Sequence, residues 1–313
     1  MIKIAVVGTG IIGHTHLAAI DKYDGCSLCA VCDTNEEKAR EAAERYGVPY
    51  LLDYREIPEK TDATAVILNL PHFLHCEASV FFLEHGLDVL VEKPMANTVA
   101  ECDKMLEAEK KSGKKLAVGH VQRFFNANRV LKEMINSGEL GKLSIASERR
   151  TVNYFDDKRP EWFLHKKTAG GGIIMNYGAH ALDKLMYLTG ADIAEIHGIV
   201  GNIANDRDID GHAQLFVKMS NGIYADVTLC GYNSSTYDNM YYFTGATARI
   251  NDTTELSIFR DGREEPFDCH EDGGFMYRQL VEFCRLINGE PSEIVRGGYG
   301  RQIIAAIEQV CNG

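Results

Sequence analysis

The chain has 313 residues, of which 45% are hydrophobic and 25% charged, and its formal net charge is −12 at pH 7. This length exceeds what one small core needs and predicts two domains. The negative charge, and the lack of a basic stripe with interleaved aromatic residues, argue against nucleic acid or an anionic membrane surface as a main partner.

The amino-terminal stretch MIKIAVVGTG is typical of a strand, and the later apolar runs are short and interrupted by charges. We therefore expect neither a signal peptide nor a membrane span. Nine cysteines, an odd number, indicate reduced thiols rather than a disulfide framework. These features predict a cytoplasmic protein.

Residues 1–120 alternate short, nearly continuous apolar runs with segments of helical periodicity. The predicted strands lie at residues 2–8, 27–33, 63–70, 87–94 and 115–120, and the predicted helices at 11–20, 35–47, 73–86 and 99–113. Apolar strands separated by helices are typical of a parallel sheet covered on both faces. The pattern predicts a doubly wound α/β domain of the Rossmann type.

Between the first strand and the first helix stands GTGIIG, which fits the pattern G-x-G-x-x-G. Gly8 permits a tight turn, Gly10 a close approach of a pyrophosphate, and Gly13 close packing of helix on strand. Together with Ile11 and Ile12, they would present the N–H groups of a helix terminus to phosphate. The motif predicts a dinucleotide-binding site.

Asp33 ends the second predicted strand, where an acidic side chain hydrogen-bonds the ribose 2′-hydroxyl of a dinucleotide. Its carboxylate would repel a 2′-phosphate, and neither Thr34 nor Asn35 is an arginine, so NAD is predicted in preference to NADP. Lys38 and Arg40 follow along the helix, and because both are basic, NADP stays an alternative cofactor. The alternative role of Asp33 is to cap that helix.

The spacing of Cys26, Cys29 and Cys32 is that of an iron–sulfur site. The same residues lie on the second predicted strand, where side chains alternate between the two faces. Cys29 then faces away from the other two. We therefore interpret all three as thiols of the core and expect no metal site.

Polar residues follow the third and fourth strands, at the sheet edge where open α/β sheets bind ligands. Pro71 and Pro94 hold the preceding residues extended, so each strand ends in a stiff corner. We expect these corners to contact the cofactor. The residues assigned to this contact are Asn69, Pro71, His72, His75, Glu92 and Lys93.

After residue 120 the pattern changes to longer runs that alternate polar and apolar residues. These runs lie at residues 143–154, 194–204, 211–220 and 222–232. A glycine-rich loop that feeds a helix separates the first two, and Asn221 with Gly222 gives a hairpin signal. We predict that residues 121–313 form an α+β domain with a largely antiparallel open sheet, which binds substrate.

Six ordered motifs together resemble the glucose–fructose oxidoreductase, inositol dehydrogenase and rhizopine-catabolism (Gfo/Idh/MocA) family of oxidoreductases. They are GTGIIG from Gly8, the CD that ends at Asp33, NLPHFLH from Asn69, EKP from Glu92, GHVQRF from Gly119 and GGGIIMNYGAHALD from Gly170. The resemblance covers most of the chain. It implies NAD(P)-dependent oxidation of a secondary alcohol on a sugar, cyclitol or related polyol.

In that family the lysine of EKP, here Lys93, lies near the nicotinamide and the reacting hydroxyl, and the position of His180 holds the usual proton acceptor. A histidine suits this role because its unperturbed pKa lies near physiological pH. Lys93 would stabilise developing alkoxide charge. The resemblance also implies a cis peptide bond between Lys93 and Pro94.

Asn176, His180 and Asp183 are spaced at i, i+4 and i+7, which places them on one face of a helix. The family usually has aspartate where Asn176 stands, so the chain departs from the pattern at a residue that we assign to catalysis and substrate positioning. Further substrate contacts are assigned to Arg123, Tyr154 and Trp162. Arg123 could instead brace the domain junction, and Trp162 could belong to the core.

Two other functions stay open. The first is a redox-assisted glycosidase or lyase that retains its NAD through turnover. The second is a catalytically silent, nucleotide-sensing regulator built on the same fold. The resemblance also implies a homodimer or homotetramer that packs through the sheet of the second domain.

Overall fold

The structure is a computed structural model that describes residues 1–203, 206–270 and 274–312. Up to residue 120 the helices and strands are β1 (Ile2–Val7), α1 (Ile11–Ile20), β2 (Cys26–Cys32), α2 (Glu36–Tyr46), β3 (Tyr50–Leu51), α3 (Ile57–Lys60), β4 (Ala65–Leu68), α4 (His75–Glu84), β5 (Asp88–Glu92), α5 (Val99–Ser112) and β6 (Leu116–Gly119). The later ones are α6 (Asn126–Ser137), β7 (Leu143–Asn153), α7 (Lys166–Ala169), α8 (Ala179–Thr189), β8 (Ile193–Gly201), β9 (His212–Met219), β10 (Tyr224–Cys230), β11 (Tyr232–Phe243), β12 (Thr247–Asn251), β13 (Glu255–Arg260), β14 (Arg263–Asp268), α9 (Gly274–Ile287), β15 (Val295–Arg296) and α10 (Gly297–Asn312).

The chain divides into two compact units. The first unit comprises Met1–His120 and Gly273–Arg301, and the second comprises Val121–Asp272 and Gln302–Gly313. The sequence boundary at residue 120 coincides with the end of the first segment. Residues 273–301, which the sequence analysis assigned to the second domain, instead belong to the first unit.

The return of the chain to the first unit has a physical reason in its packing. Strand β15 adds an antiparallel edge to β6. Helix α9 packs against α1, and the rings of Tyr23 and Tyr277 meet edge to face, with their centroids 5.6 Å apart. An apolar face of α9 is thereby buried, as an amphipathic helix requires.

Within the described residues, seven strands form the sheet of the first unit, in the order β15-β6-β5-β4-β1-β2-β3. All neighbours except β15 and β6 are parallel. From β3 to β6 this is the doubly wound order, and its direction reverses between β1 and β4. Central residues such as Val6, Ile67 and Val89 are fully buried. The predicted parallel sheet is therefore confirmed.

The second unit contains, among the described residues, eight strands in the order β14-β13-β12-β11-β7-β10-β9-β8. Only β7 and β10 run parallel to each other. Ala146, Val227 and Leu215 are buried on the face that α8 covers, whereas Ile145 and Phe216 are exposed on the other. The prediction of an α+β unit with a largely antiparallel open sheet is confirmed.

The predicted hairpin joins β9 to β10, and Gly222 there adopts φ +88°, a left-handed conformation that favours glycine. The alternating run predicted over residues 194–204 forms β8, although its last residue, Ala204, lies outside the described residues. In the part of the chain that the structure describes, no helix has the length and apolar character to cross a bilayer.

Candidate active site

The turn after β1 is packed so closely against the end of β4 that it excludes side chains. Gly8 has φ +88°, and a Cβ there would lie 2.4 Å from the carbonyl oxygen of Asn69. A Cβ on Gly13 would lie 2.0 Å from the carbonyl oxygen of Gly8. Both glycines are therefore required by the close approach of backbone to backbone.

The N-terminus of α1 faces open space. Apart from Gly10 and its two chain neighbours, no described residue has an atom within 4 Å of the position that a Cβ on Gly10 would take. Ile11 and Ile12, which begin the helix, are 86% and 47% exposed. The first N–H groups of a helix and its dipole attract phosphate, so this space suits a pyrophosphate.

Asp33 braces the glycine turn. Its Oδ2 accepts hydrogen bonds from the N–H and the hydroxyl of Thr9 at 2.9 and 3.1 Å, and its Oδ1 accepts one from the N–H of Asn35 at 2.9 Å. Asn35, not Asp33, caps α2 through the N–H of Lys38. The capping alternative is therefore wrong, and Oδ1 keeps a lone pair for a ribose hydroxyl.

Asn69 follows β4 and offers a buried acceptor. Its Nδ2 donates to the carbonyl of Gly8 at 3.4 Å, whereas its Oδ1 has no hydrogen-bond partner among the described residues. A buried acceptor without a donor is unfavourable unless a ligand supplies one. The buried Oδ1 of Asn69, the open space at Gly10 and the remaining lone pair of Asp33 together make this edge of the sheet a good fit for a dinucleotide.

His75, which the sequence analysis assigned to cofactor contact, is fully buried inside the first unit. Its Nδ1 lies 2.8 Å from the carbonyl oxygen of Pro94, and its Nε2 lies 2.8 Å from that of Leu70. Burial lowers the pKa of His75. The assignment is corrected: His75 ties together the corners that follow β4 and β5, and its ring is enclosed.

The other residues of the first corner lie beside this histidine. Pro71 is extended, with ψ 143°, and leads into a single 3₁₀ turn, His72–Leu74. The His72 ring is also buried, 5.7 Å from that of His75. The corner is therefore as stiff as the proline predicted.

The corner that carries Lys93 is held by Glu92. His16 Nε2 lies 3.0 Å from Glu92 Oε1, and Glu92 Oε2 accepts the N–H of Lys93 at 3.1 Å. Burial raises the pKa of Glu92, but His16 and Lys93 outweigh it and hold that pKa below its usual value. A Cβ on Gly119 would approach Oε1 to 2.9 Å, so glycine leaves room for the carboxylate. The predicted cis bond between Lys93 and Pro94 is confirmed.

In the second unit, His180 lies on α8 directly after a π-helical turn, Ile174–Gly178, that contains Asn176. Such turns occur frequently at functional sites. Asn176 is buried. Burial raises the pKa of Tyr154, and the Asn176 side chain partly opposes that rise.

Two aromatic residues were expected to form a wall against a sugar ring. Tyr154 is fully buried, with the Arg159 guanidinium 4.1 Å from the centre of its ring, so it cannot form a surface wall. Trp162 is partly exposed and stacks on Phe163 at 3.7 Å. Only Trp162 therefore keeps the predicted accessibility.

Arg123 pairs with Asp183 on α8, at 2.8 Å between Nη2 and Oδ1, and the carboxylate is fully buried. Its guanidinium also lies 5.4 Å from the Tyr187 ring. Arg123 thus anchors the turn Val121–Phe124 to α8 inside the second unit.

His180 lines a pocket in the second unit that is partly open to solvent. Among the other polar residues that line it, the sequence analysis missed Glu148, Arg150 and Lys184. Two signals could have found them. Lys184 follows His180 by four helical positions, and Glu148 and Arg150 share one face of an alternating strand.

Comparison with known proteins places the chain in a family. The model of the oxidoreductase family GFO_IDH_MocA, an NAD-binding Rossmann fold, matches residues 2–120, and that of the GFO/IDH/MocA C-terminal domain matches residues 128–251. The chain belongs to the Gfo/Idh/MocA oxidoreductase family. It is accordingly an enzyme, an NAD(P)-dependent dehydrogenase acting on CH–OH groups.

Individual proteins of known name are similar to the chain. The 2,7-anhydro-N-acetylneuraminate hydratase of Mediterraneibacter gnavus is 30% identical over 276 residues, 85% of this chain and 72% of that protein. Inositol 2-dehydrogenase of Salmonella typhimurium is 32% identical over 145 residues, 45% of this chain and 43% of that protein. A levoglucosan dehydrogenase, solved with NADH and levoglucosan, has the same fold, with TM-score 0.89 and 19% identity over 99% of this chain and 96% of that one.

Substitutions of Gly10 and Gly13 should differ in their effects on NAD binding and on the stability of the fold. Alanine at position 10 has the space and an allowed backbone, φ −72° and ψ −165°, so Gly10→Ala should change the free energy of unfolding by less than about 1 kcal/mol. It should weaken NAD binding about tenfold or more, because the methyl group takes the place of phosphate. Gly13→Ala should instead destabilise the fold. Denaturant unfolding and calorimetric titration with NAD measure both effects, and wild-type NAD affinity in Gly10→Ala would contradict the assignment.

Proposed function

We propose that the protein oxidises a secondary alcohol of a sugar, cyclitol or related polyol, with NAD as the cofactor. The observation that carries the proposal is the shared sheet edge of the first unit. The dinucleotide turn, the buried acceptor of Asn69 and the corner of Lys93 follow the neighbouring strands β1, β4 and β5. Cofactor-binding groups and a cation suited to alkoxide therefore lie at one edge.

The preference for NAD rests on Asp33. An ionised carboxylate at the end of β2 repels a 2′-phosphate and accepts a hydrogen bond from a 2′-hydroxyl. Its two bonds from Thr9 hold it against the glycine turn. Bound at this edge, the nicotinamide supplies the acceptor for the hydride of the carbinol carbon.

The chain itself handles the proton and the charge. In the proposal, a ring nitrogen of His180 accepts the proton of the reacting hydroxyl, and the Lys93 ammonium stabilises the negative charge that develops on the oxygen. Asn176, on the turn before His180, hydrogen-bonds a further hydroxyl of the substrate. The nine free cysteines support a cytoplasmic location.

A second candidate is a lyase or hydratase-like reaction in which NAD stays bound through turnover. The observation that favours it is the similarity to a hydratase over 72% of the length of that relative. Cofactor that survives desalting, with no release of NADH during turnover, would identify this reaction.

The catalytic assignment predicts that His180→Ala and Lys93→Met each lower kcat by roughly 10²–10⁴-fold and leave NAD affinity near that of the wild type. The measurement follows nicotinamide absorbance with a panel of polyols, inositols and aldoses, each with NAD and with NADP. Two surface changes serve as matched controls: His270→Ala and Lys22→Met remove the same side chains from exposed positions. If both active-site variants kept the wild-type kcat, the assignment would be wrong.

Asn176→Asp should restore the carboxylate that the family usually has at this position. A negative charge close to the imidazole favours its protonated form, which raises the pKa of His180. The acidic limb of the profile of kcat/KM against pH should therefore move to higher pH, and KM should change. An unchanged KM together with an unchanged profile would rule out substrate positioning by Asn176.

We also propose that the open face of the second-unit sheet packs against a second copy of the chain. Five large apolar residues there are between 41% and 65% exposed: Ile145, Ile199, Phe216, Tyr224 and Tyr242. The strand register places them on one face, with Tyr242 and Tyr224 directly beside Ile145 on the two neighbouring strands. An exposed apolar patch of this kind marks an interface.

Light scattering should accordingly give the mass of a dimer or tetramer for the wild type and of a monomer for the double variant Ile145→Lys, Phe216→Lys. Charges on the face oppose its burial, whereas Leu52→Lys, at a 42% exposed position of the first unit, should leave the mass unchanged. A monomeric wild type at micromolar concentration would refute the proposed interface.

A further inference from the structure

We propose that the substrate carries a carboxylate and that Arg150 binds it in the pocket that His180 lines. The inference deepens the proposed function and rests on it for the identity of the reacting group. It names the substrate class as sugar or polyol acids rather than neutral sugars.

The placement of Arg150 is fixed by its strand and by two aromatic rings. Along β7, Glu148 and Arg150 point to the face that α8 covers, while Arg149 points to the opposite face. The Arg150 guanidinium lies 4.7 Å from the Tyr177 ring and 4.9 Å from the Tyr237 ring. Stacking on aromatic rings orients the planar group and leaves its edge available for in-plane acceptors.

Arg150 has no acidic partner. Among the described residues it forms no ion pair, and its buried Nε has no hydrogen-bond partner. The carboxylate that lines the pocket, Glu148, lies 2.6 Å from the Lys184 ammonium and also accepts the hydroxyl of Tyr241. Lys184 in turn donates to the Tyr237 hydroxyl at 2.7 Å. Glu148 is thus engaged by Lys184, and Arg150 keeps its positive charge unmatched.

The excess positive charge of the pocket does not depend on whether Glu148 and Lys184 are ionised. Burial raises the pKa of Glu148 despite Lys184. Burial lowers the pKa of Lys184, but Glu148 and Tyr237 together outweigh it and raise that pKa. If both are ionised they cancel, and if Glu148 takes up a proton the pocket becomes more positive still. In either state the pocket favours an anion.

The chemistry of the anion follows from the planar guanidinium of Arg150. A carboxylate is planar, carries one negative charge and matches the guanidinium fork with two parallel hydrogen bonds. While Glu148 and Lys184 are both ionised, a phosphate dianion would leave one of its two negative charges unmatched by Arg150. A neutral sugar can offer a hydroxyl oxygen to the buried Nε, but it brings no negative charge to match that of the guanidinium. A carboxylate therefore satisfies the pocket best.

Matched ligand pairs test the proposal on the NAD-loaded enzyme. Calorimetry compares D-glucuronate with D-glucose and D-galacturonate with D-galactose, and the methyl ester of glucuronate removes only the charge. Glucose 6-phosphate tests phosphate as the anion. We expect each acid to bind at least tenfold more tightly than its neutral partner, its ester or the phosphate.

Variants locate the charge that is responsible. Arg150→Gln should weaken binding of the acids about 10–100-fold and leave that of the neutral sugars unchanged, because one charge-assisted contact is lost. Arg150→Lys, which keeps the charge without the fork, should restore part of the preference. Arg263→Gln, on the exposed edge strand β14, removes the same charge elsewhere and should have no effect.

Equal affinities for acid, ester and sugar would overturn the inference, as would binding of no acid in the panel. Loss of acid and sugar binding alike in Arg150→Gln would show a packing role and overturn it too. Preference for the acid without formation of reduced nicotinamide would uphold carboxylate recognition and contradict the proposed dehydrogenase function. Oxidation of neutral sugars without preference for the acid would uphold the dehydrogenase function and contradict carboxylate recognition.

Discussion

The close approach of Gly8 to Asn69 is the constraint on which the cofactor edge depends. Here β1 and β4 are neighbours at the point where the strand order reverses, and the N–H of Asn69 donates to the carbonyl of Val7 at 2.8 Å. Because backbone meets backbone, neither Gly8 nor Gly13 can carry a side chain. The space in front of α1 therefore follows from how the strands pack.

A second set of buried contacts positions the cation. His75 bridges the carbonyl oxygens of Leu70 and Pro94, and Glu92 is held by His16 while it accepts the backbone N–H of Lys93. These groups lie under the corners that would meet the nicotinamide. The chemistry assigned to Lys93 accordingly depends on two buried histidines and a partly buried carboxylate.

Local patterns predicted the parts of the structure that local forces determine. The apolar runs predicted the parallel sheet, the glycine spacing predicted the turn, and Asp33 lies beside that turn. The return of residues 273–301 was not predictable, because β15 has only two residues and its pairing with β6 is long-range. Tyr154 is the last residue of an alternating run, and that position does not show whether its ring is buried.

The polar lining of the second-unit pocket was hidden for a related reason. Glu148 and Lys184 are far apart in sequence, and each reads as an ordinary charged residue of an exposed face. Only the packing of α8 on β7 brings them to 2.6 Å and leaves Arg150 without an acidic partner. A site assembled from several elements needs the fold before its net charge can be counted.

Transfer of deuterium tests the central claim, hydride transfer from a carbinol carbon. The wild-type enzyme would be incubated with NAD and with myo-inositol, D-glucose or D-glucuronate deuterated at the ring carbons, and the bound and released nicotinamide analysed by mass spectrometry. The account predicts deuterium in the reduced cofactor with at least one substrate. Substrate conversion with no deuterium in either the bound or the released cofactor would contradict it.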